Sequence, residues 1–257
     1  MPTTQVLKYQ VIVISDLHLG IKHSKTEEIL EFLETHRCEK LILNGDIIDG
    51  WALSRGAKWK KRHTKVLNKL IEIAKDTEII WVRGNHDEFL EDFLGFDSLN
   101  LKIVKDYVLT LKSWVTKDTY ENKRYYVFHG DDIDVFMLKY KWLSKIGSVC
   151  YDFALWMNTQ YNSWRKKRKL KYKSISKILK SVVKTATNYV NDFEKTAAKM
   201  AKLHGCKGVI CGHIHQESNK QIGDVHYLNS GDWVESMTAI LIDQDSNIKI
   251  YRKNEDL

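Results

Sequence analysis

Short apolar runs alternate with helical segments over the first half of the chain, and this order is the feature that most restricts the possible folds. Runs rich in β-branched and aromatic residues, YQVIVIS (9–15), KLILNG (40–45) and EIIWVRG (78–84), end at a glycine or a polar residue, which predicts buried strands. The segments between them repeat apolar residues every three or four positions, which predicts amphipathic helices. A strand–helix–strand order favours parallel strands in one layer with helices in another. We therefore expect a layered α/β fold.

Residues that can bind metals follow these three strands and two more predicted strands, YYVFHG (125–130) and KGVICGH (207–213). The carboxyl ends of strands in an open α/β sheet meet at one edge, so these side chains are expected to converge. A single histidine at a strand end is usually structural, but the same placement at five strand ends favours a functional site. The residues concerned are Asp16, His18, Asp46, Asp49, Asn85, His86, Asp87, His129, His213 and His215.

The chemistry of this residue set predicts two metal ions. Imidazole and carboxylate groups without a thiolate suit divalent manganese, iron or zinc, and there are more candidate groups than one tetrahedral ion uses. Two ions can share a carboxylate and hold both oxygens of a phosphoryl group during in-line displacement. The set therefore favours phosphoester chemistry.

A helical insertion interrupts the predicted sheet domain. The 257 residues contain one proline, Pro2, and no Gly/Ser-rich linker or repeat, so nothing marks a second independent unit. The pattern is helical from about residue 133, and strands return later as DVHYLN, MTAILID and IKIYR. We expect a core domain of residues 1–132 and 205–257, with residues 133–204 as a helical cap. NLKIVKDYVLTL and the C-terminal strands could pair between subunits or only complete a second sheet, so the oligomeric state stays open.

Basic residues concentrate in the predicted cap. The net charge is +8, and ten lysines or arginines without any acid lie between Arg165 and Lys184. Such a run either meets an anionic partner or lies in solvent. The aromatic residues before it either pack the cap onto the domain or join the basic run in an amphiphilic entrance for a lipid substrate or an anionic membrane surface. The candidate substrate-binding residues are Arg165, Lys166, Lys167 and Arg168.

The motif order DxH, GDxxD, GNHD, HG and GHxH resembles the calcineurin-like metallophosphoesterase superfamily, from residue 13 to about residue 235. The resemblance implies a four-layered α/β/β/α sandwich with a helical cap, and two divalent ions, typically manganese, with iron or zinc as other options. It also implies one carboxylate shared by both ions. The implied ligands are Asp16, His18 and His215 for the first metal, Asn85, His129 and His213 for the second, and Asp46 as the bridge.

The same resemblance implies a catalytic pair outside the metal ligands. His86 resembles the family's catalytic histidine, which meets the phosphate and assists the leaving oxygen. Asp49 matches the carboxylate that pairs with the far nitrogen of that ring, which favours the imidazolium form able to donate a proton. Asp87 is a competing partner because it is next in sequence, and Asp49 is preferred because adjacent residues need not face each other.

Within the superfamily, these motifs together with YLNSGDWVESMTAI (227–240) resemble the UDP-2,3-diacylglucosamine pyrophosphatase group. Members of that group release UMP from a lipid-linked nucleotide sugar and leave a lipid sugar 1-phosphate during lipid A synthesis. The established enzymes have arginine where this chain has His86. Arginine stays charged and grips phosphate as a planar fork, whereas histidine can also transfer a proton.

Two other functions stay open at this point. A nuclease or nucleotide phosphodiesterase would follow a phosphate backbone with the basic run and stack bases on the aromatic residues. A non-catalytic binding module would have kept the fold without the chemistry, and the intact ligand set disfavours it. The first residues do not resemble a signal peptide and no run of 18 apolar residues occurs, so we expect a cytoplasmic protein that could associate peripherally with the inner membrane.

Overall fold

A computed structural model describes residues 6–114, 120–136 and 176–253 of the chain. The chain divides into two compact units, residues 1–131 with 197–257, and residues 132–196. The division into a metallophosphoesterase domain and a cap of residues 133–204 remains a prediction.

Strands and helices alternate in the first half of the first unit, as the sequence pattern predicts. Three short elements were not expected: a one-turn helix α2, a 3₁₀ helix and the edge strand β4. In chain order, the elements are β1 (Leu7–Ile14), α1 (Thr26–Thr35), β2 (His36–Asn44), α2 (Gly50–Ser54), α3 (Lys61–Ile73), β3 (Glu78–Val82), the 3₁₀ helix (Glu88–Phe93), β4 (Asp97–Ser98), β5 (Leu101–Val104), β6 (Tyr107–Trp114), β7 (Tyr120–Val127), α4 (Asp131–Phe136), α5 (Ser176–Leu203), β8 (Gly208–Cys211), β9 (Ser218–Ile222), β10 (Val225–Asn229), β11 (Thr238–Ile242) and β12 (Ile248–Arg252).

The strands form two sheets. The first has the order β12-β11-β1-β2-β3-β5-β4, and the second has the order β6-β7-β8-β10-β9. Within the first sheet β1, β2, β3 and β5 are parallel neighbours, and within the second β7, β8 and β10 are parallel. The predicted α/β class, with two sheets flanked by helices, is confirmed.

Alternation along β1 explains how one strand serves two cores. Ile12 and Ile14 belong to the core that the first sheet shares with residues of α1 and α3. Val11 and Val13 point to the opposite face and join the core between the two sheets. A strand that is covered on both faces needs apolar residues at every position, which is why these strands read as continuous apolar runs.

The stretch NLKIVKDYVLTL contains two strands and not one. β5 pairs with β3 in the first sheet, whereas β6 pairs with β7 in the second. The chain therefore crosses between the sheets within this stretch, and both strands find their partners in the same chain.

Among the described residues, no helix is both long and apolar enough to span a membrane.

Candidate metal centre

Loops that follow strands of both sheets meet at one place. β1, β2 and β3 lie in the first sheet and β7 and β8 lie in the second, so the five strand ends do not belong to a single sheet edge. Backbone hydrogen bonds fasten the loops together: the amide of Asp16 donates to Gly45 O at 3.0 Å and the amide of His18 donates to Asp46 O at 2.9 Å. In the second sheet, the amide of Gly212 donates to His129 O at 2.9 Å.

Glycines make this close approach possible. A Cβ atom on Gly84 would lie 2.2 Å from Asp46 Oδ1, and one on Gly45 would lie 2.3 Å from His129 Nδ1. Gly45 also has a φ of +84°, which other residues rarely adopt. The two positions are therefore restricted to glycine because the side chains of the candidate ligands Asp46 and His129 occupy the space of a Cβ.

Backbone strain concentrates on the candidate ligands. Nine described non-glycine residues have a positive φ, and five of them are predicted metal ligands. A left-handed conformation costs roughly 1–2 kcal/mol for such a residue. Strain of this kind persists where the surrounding structure enforces it, often at functional sites. The five ligands are Asp16, His18, Asp46, His213 and His215.

Six of the seven predicted ligands fall into groups whose potential ligand atoms lie within 4.8 Å of one another. Asp46 belongs to two groups and His18 belongs to two, so the groups overlap. His86 is a member of one of them, which places it closer to the predicted ligands than the sequence interpretation did. The groups are Asp16 with His18 and His215, His18 with Asp46 and His86, and Asp46 with His129 and His213.

Several buried polar atoms at this site have no hydrogen-bond partner among the described residues. Among them are Oδ1 of Asp16, Nε2 of His18, Nε2 of His129 and Oδ1 of Asn85, the seventh predicted ligand. A buried polar atom normally finds a partner, because leaving it unpaired costs about 1–3 kcal/mol. These atoms are lone-pair donors suited to a divalent cation, so the residues present fit a metal centre.

The tautomer of His129 supports the same conclusion. Its Nδ1 lies 2.9 Å from Asn44 O, and since a carbonyl only accepts, Nδ1 carries the proton. Nε2 then faces Asp46 Oδ2 at 3.2 Å, and two acceptors at that distance need a proton or a cation between them. A backbone carbonyl that fixes the histidine tautomer is a common feature of metal sites.

Asp49 contacts two histidines through one oxygen. Its Oδ2 accepts a hydrogen bond from His18 Nδ1 at 3.0 Å and lies 3.1 Å from His86 Nδ1. The other oxygen accepts from the amide of Ala52 at 2.7 Å. This carboxylate therefore orients a predicted metal ligand as well as the predicted catalytic histidine.

Asp87 has a different place. Its buried carboxylate accepts from the amide of Gly84 at 2.6 Å, from the amide of Ile47 at 3.0 Å and from Trp81 Nε1 at 3.3 Å. It ties the loop after β3 to the loop after β2, and it is Asp49 that faces His86. Burial and the charge of Asp46 raise the pKa of the Asp87 carboxyl.

At Asp49, His86 and His129, interactions with neighbouring charged groups outweigh the effect of burial on the pKa. Burial alone would favour neutral Asp49, but the hydrogen bond from His18 and the close contact with His86 lower the pKa of Asp49. Burial would also favour a neutral His86, but contact with Asp49 and the charge of Asp46 raise the pKa of that ring. The pKa of His129 is likewise raised by Asp46 against the effect of burial.

Some supporting residues were missed by sequence reasoning. Asp232 is buried and accepts from the amides of Val234 and Glu235, which shapes the loop after β10; the SGDWVE stretch carried a turn signal for it. The guanidinium of Arg83 forms ion pairs with Asp131 Oδ2 at 3.1 Å and with Glu91 Oε2 at 3.0 Å. Neither partner is a neighbour of Arg83 in sequence, so no local pattern predicts the contacts. The predicted substrate-binding residues Arg165, Lys166, Lys167 and Arg168 lie outside the described residues.

Comparison with known proteins adds one family and several similar structures. The model of the family described as calcineurin-like phosphoesterase matches residues 9–217. The phosphoesterase Yfce from E. coli is 15% identical, with a TM-score of 0.41 over 94% of this chain and 97% of that chain. An archaeal phosphodiesterase is 14% identical, with a TM-score of 0.43 over 94% and 98%. Vps29 from Entamoeba histolytica, solved with zinc, is 13% identical, with a TM-score of 0.40 over 94% and 97%. No curated protein matches the sequence.

Proposed function

The chain belongs to the calcineurin-like phosphoesterase family, and we propose that it hydrolyses a phosphodiester or pyrophosphate with two divalent metal ions held around Asp46. The observation that carries this proposal is the overlap of three His/Asp groups, in which Asp46 and His18 are each shared by two. Two neighbouring cations can share one carboxylate as a bridging ligand. Manganese is our first choice for both ions, with iron or zinc as alternatives, since imidazole and carboxylate ligands suit all three.

The protein's own groups supply binding and proton transfer. When bound, the two ions would lower the pKa of a coordinated water and stabilise charge on the phosphoryl oxygens. Asp49 holds the Nδ1 side of His86 at 3.1 Å, so Nε2 is the nitrogen left for substrate. With a raised pKa, His86 keeps the proton that a departing oxygen needs.

For the substrate, we propose the pyrophosphate of UDP-2,3-diacylglucosamine or of a similar lipid-linked nucleotide sugar. The support is the resemblance of the motifs, including YLNSGDWVESMTAI, to that group of enzymes. The products would be UMP and a lipid sugar 1-phosphate. Substrate contacts by Arg165 to Arg168 and peripheral association with an anionic membrane are parts of this proposal.

A second candidate is a phosphodiesterase that acts on nucleotides or nucleic acid. Two observations favour it: His86 stands where the pyrophosphatase group has arginine, and the indole of Trp51, 40% exposed, lies beside His86 with ring centroids 4.5 Å apart. An exposed aromatic ring beside a phosphate site suits base stacking.

A substrate panel with manganese distinguishes the two candidates. It compares UDP-diacylglucosamine, simple nucleotide sugars, bis-p-nitrophenyl phosphate and short DNA. We expect the highest kcat/KM on the diacylated substrate. Preferred cleavage of DNA, with a steep decline as salt rises, would favour the nuclease, and no turnover of any phosphoester by metal-loaded protein would contradict the proposal.

A further inference from the structure

Trp51 is an exposed aromatic residue next to the candidate site. It follows Asp49 by two positions and lies in the first turn of α2. Its ring is tilted by 37° to that of His86, with centroids 4.5 Å apart. The indole belongs to neither apolar core of the described residues. Packing in a hydrophobic core therefore does not explain why a tryptophan stands at this position.

Gly50 holds the backbone next to Trp51 close to the loop that carries His86. The amide of Gly50 donates to His86 O at 2.8 Å, and a Cβ at Gly50 would lie 2.9 Å from that same oxygen and 3.2 Å from Phe89 Cδ1. The start of α2 is thus held against the loop that carries His86. Phe89, itself 44% exposed, adds a second aromatic ring at the same place.

From this arrangement we infer that Trp51 is a specificity-determining residue that stacks on a planar group of the substrate. The inference rests on the proposed function and narrows its substrate class to phosphoesters that carry a nucleobase or another aromatic ring. A proton donor at His86 Nε2 must lie near the leaving oxygen. The group attached to that oxygen then comes within reach of a ring centred 4.5 Å from the imidazole.

The chain offers a matched control in Trp59. This tryptophan is 37% exposed, close to the 40% of Trp51. Its Nε1 donates to Thr64 Oγ1 at 2.9 Å, and its ring packs on His63 and not on His86. Trp59→Ala therefore removes an equally exposed indole that packs on a histidine outside the candidate ligand set.

The kinetic test uses two diesters, each the same on both sides of phosphorus. Bis-p-nitrophenyl phosphate carries aromatic groups and glycerophosphoglycerol carries aliphatic ones. We expect Trp51→Ala to raise KM for the aromatic diester roughly 5- to 150-fold, the range for one stacked base, with little change in kcat. KM for the aliphatic diester should stay constant, Trp51→Phe should restore most of the loss, and Trp59→Ala should behave as the parent.

Two results would overturn the inference. An equal fall in kcat on both diesters with constant KM would mean that the indole only positions His86, and unchanged kinetics on both would mean that it does neither. If the parent cleaves neither diester, calorimetric binding of UMP and glycerol 3-phosphate to the manganese-loaded protein decides the role of Trp51, and the proposed function fails only if the parent also cleaves no other phosphoester of the substrate panel. Preferential UMP binding that Trp51→Ala abolishes supports stacking, whereas equal binding to parent and variant contradicts it.

Discussion

At the scale of single residues, the candidate centre depends on carboxylates that serve more than one neighbour. Asp46 faces His129 at 3.2 Å and accepts from the amide of His86 at 2.8 Å, while Asp49 touches both His18 and His86. Loss of either carboxylate would therefore disturb several groups at once. The effects of such variants should not be additive, because the residues share partners.

Asp46→Asn should reduce metal content and turnover together. The amide keeps the shape of the side chain but removes the negative charge between the two predicted ions, so we expect at least a tenfold loss of metal affinity and a matching loss of rate. Metal analysis after dialysis and kcat with bis-p-nitrophenyl phosphate measure both. Asp92→Asn, an exposed acid, is the control. Full occupancy and rate in Asp46→Asn would show that this carboxylate is not shared by the ions.

His86→Ala should lower the rate and leave the metals in place. A positioned proton donor contributes roughly 10²–10⁴-fold to the rate, and we expect a loss in that range. His86 also lies within 4.8 Å of ligand atoms on His18 and Asp46, so metal analysis of the variant is decisive. Loss of one ion would make His86 a ligand. His86→Arg tests the residue of the pyrophosphatase group at the same position.

The pH dependence of the rate should reveal the contact between Asp49 and His86. Asp49 and Asp46 raise the pKa of His86 although burial opposes the charge, so the imidazolium form persists to higher pH than in an ordinary histidine. The rate should fall as pH rises through this raised pKa. Asp49→Asn removes one cause, and the basic limb of the pH–rate profile should move to lower pH. If Asp49→Asn stays active and the basic limb of its pH–rate profile does not move, this limb reflects the titration of a group other than His86.

At the scale of elements, the site depends on where strands end and on how closely their loops approach. The loop after β3 reaches Asp46 because Gly84 has no side chain. Asp87 accepts from the amide of Gly84 within this loop and ties the loop to the amide of Ile47, which follows β2. The same packing leaves no room for an added methyl group. Crowding of this kind typically costs 1–3 kcal/mol in a packed interior.

Gly84→Ala should displace Asp46 and weaken metal binding. The new Cβ would start 2.2 Å from Asp46 Oδ1, so the carboxylate or the loop must move. We expect a free energy of unfolding lower by about 1–3 kcal/mol together with a loss of bound metal. Gly223→Ala, with a φ of +61° and open space around it, should destabilise by about 1–2 kcal/mol through strain alone. If both variants kept their metal equally well, Gly84 would have no special role at the centre.

The sequence predicted the strands and the polar residues that follow them because burial on both faces and glycine-bounded strand ends are local patterns. The strand pattern alone did not assign these ends to two sheets, since nothing in NLKIVKDYVLTL marks the crossing between β5 and β6, and the two-sheet sandwich was implied only by the resemblance to the family. The choice between Asp49 and Asp87 also needed three-dimensional information. Asp87 is adjacent to His86 in sequence, yet its carboxylate is taken by two amides and Trp81 Nε1. The ligand roles themselves remain predictions, which the metal analyses above would test.

At the scale of the whole molecule, charge is distributed very unevenly. Ten of the 41 lysines and arginines lie between Arg165 and Lys184, without an acid among them, whereas the candidate centre is built of acids and histidines. An anionic substrate that is also amphiphilic would be attracted by the first region and cleaved at the second. Attraction to an anionic surface amounts to about 1 kcal/mol per basic residue, so four charges are enough to change recruitment measurably.

Neutralising Arg165, Lys166, Lys167 and Arg168 with glutamine therefore distinguishes the proposed substrates. If this segment recruits a lipid substrate, turnover of UDP-diacylglucosamine in anionic vesicles should fall at least tenfold. Bis-p-nitrophenyl phosphate should be cleaved almost as before, because Asp46 and His86 are untouched. A nuclease would instead lose affinity for oligonucleotides, with a shallower salt dependence.

The control neutralises four exposed lysines of the described residues, namely Lys58, Lys61, Lys65 and Lys75. Since both variants lose the same total charge, an equal fall in vesicle turnover would reflect net charge alone. Only a loss confined to the 165–168 variant would place recruitment in that segment.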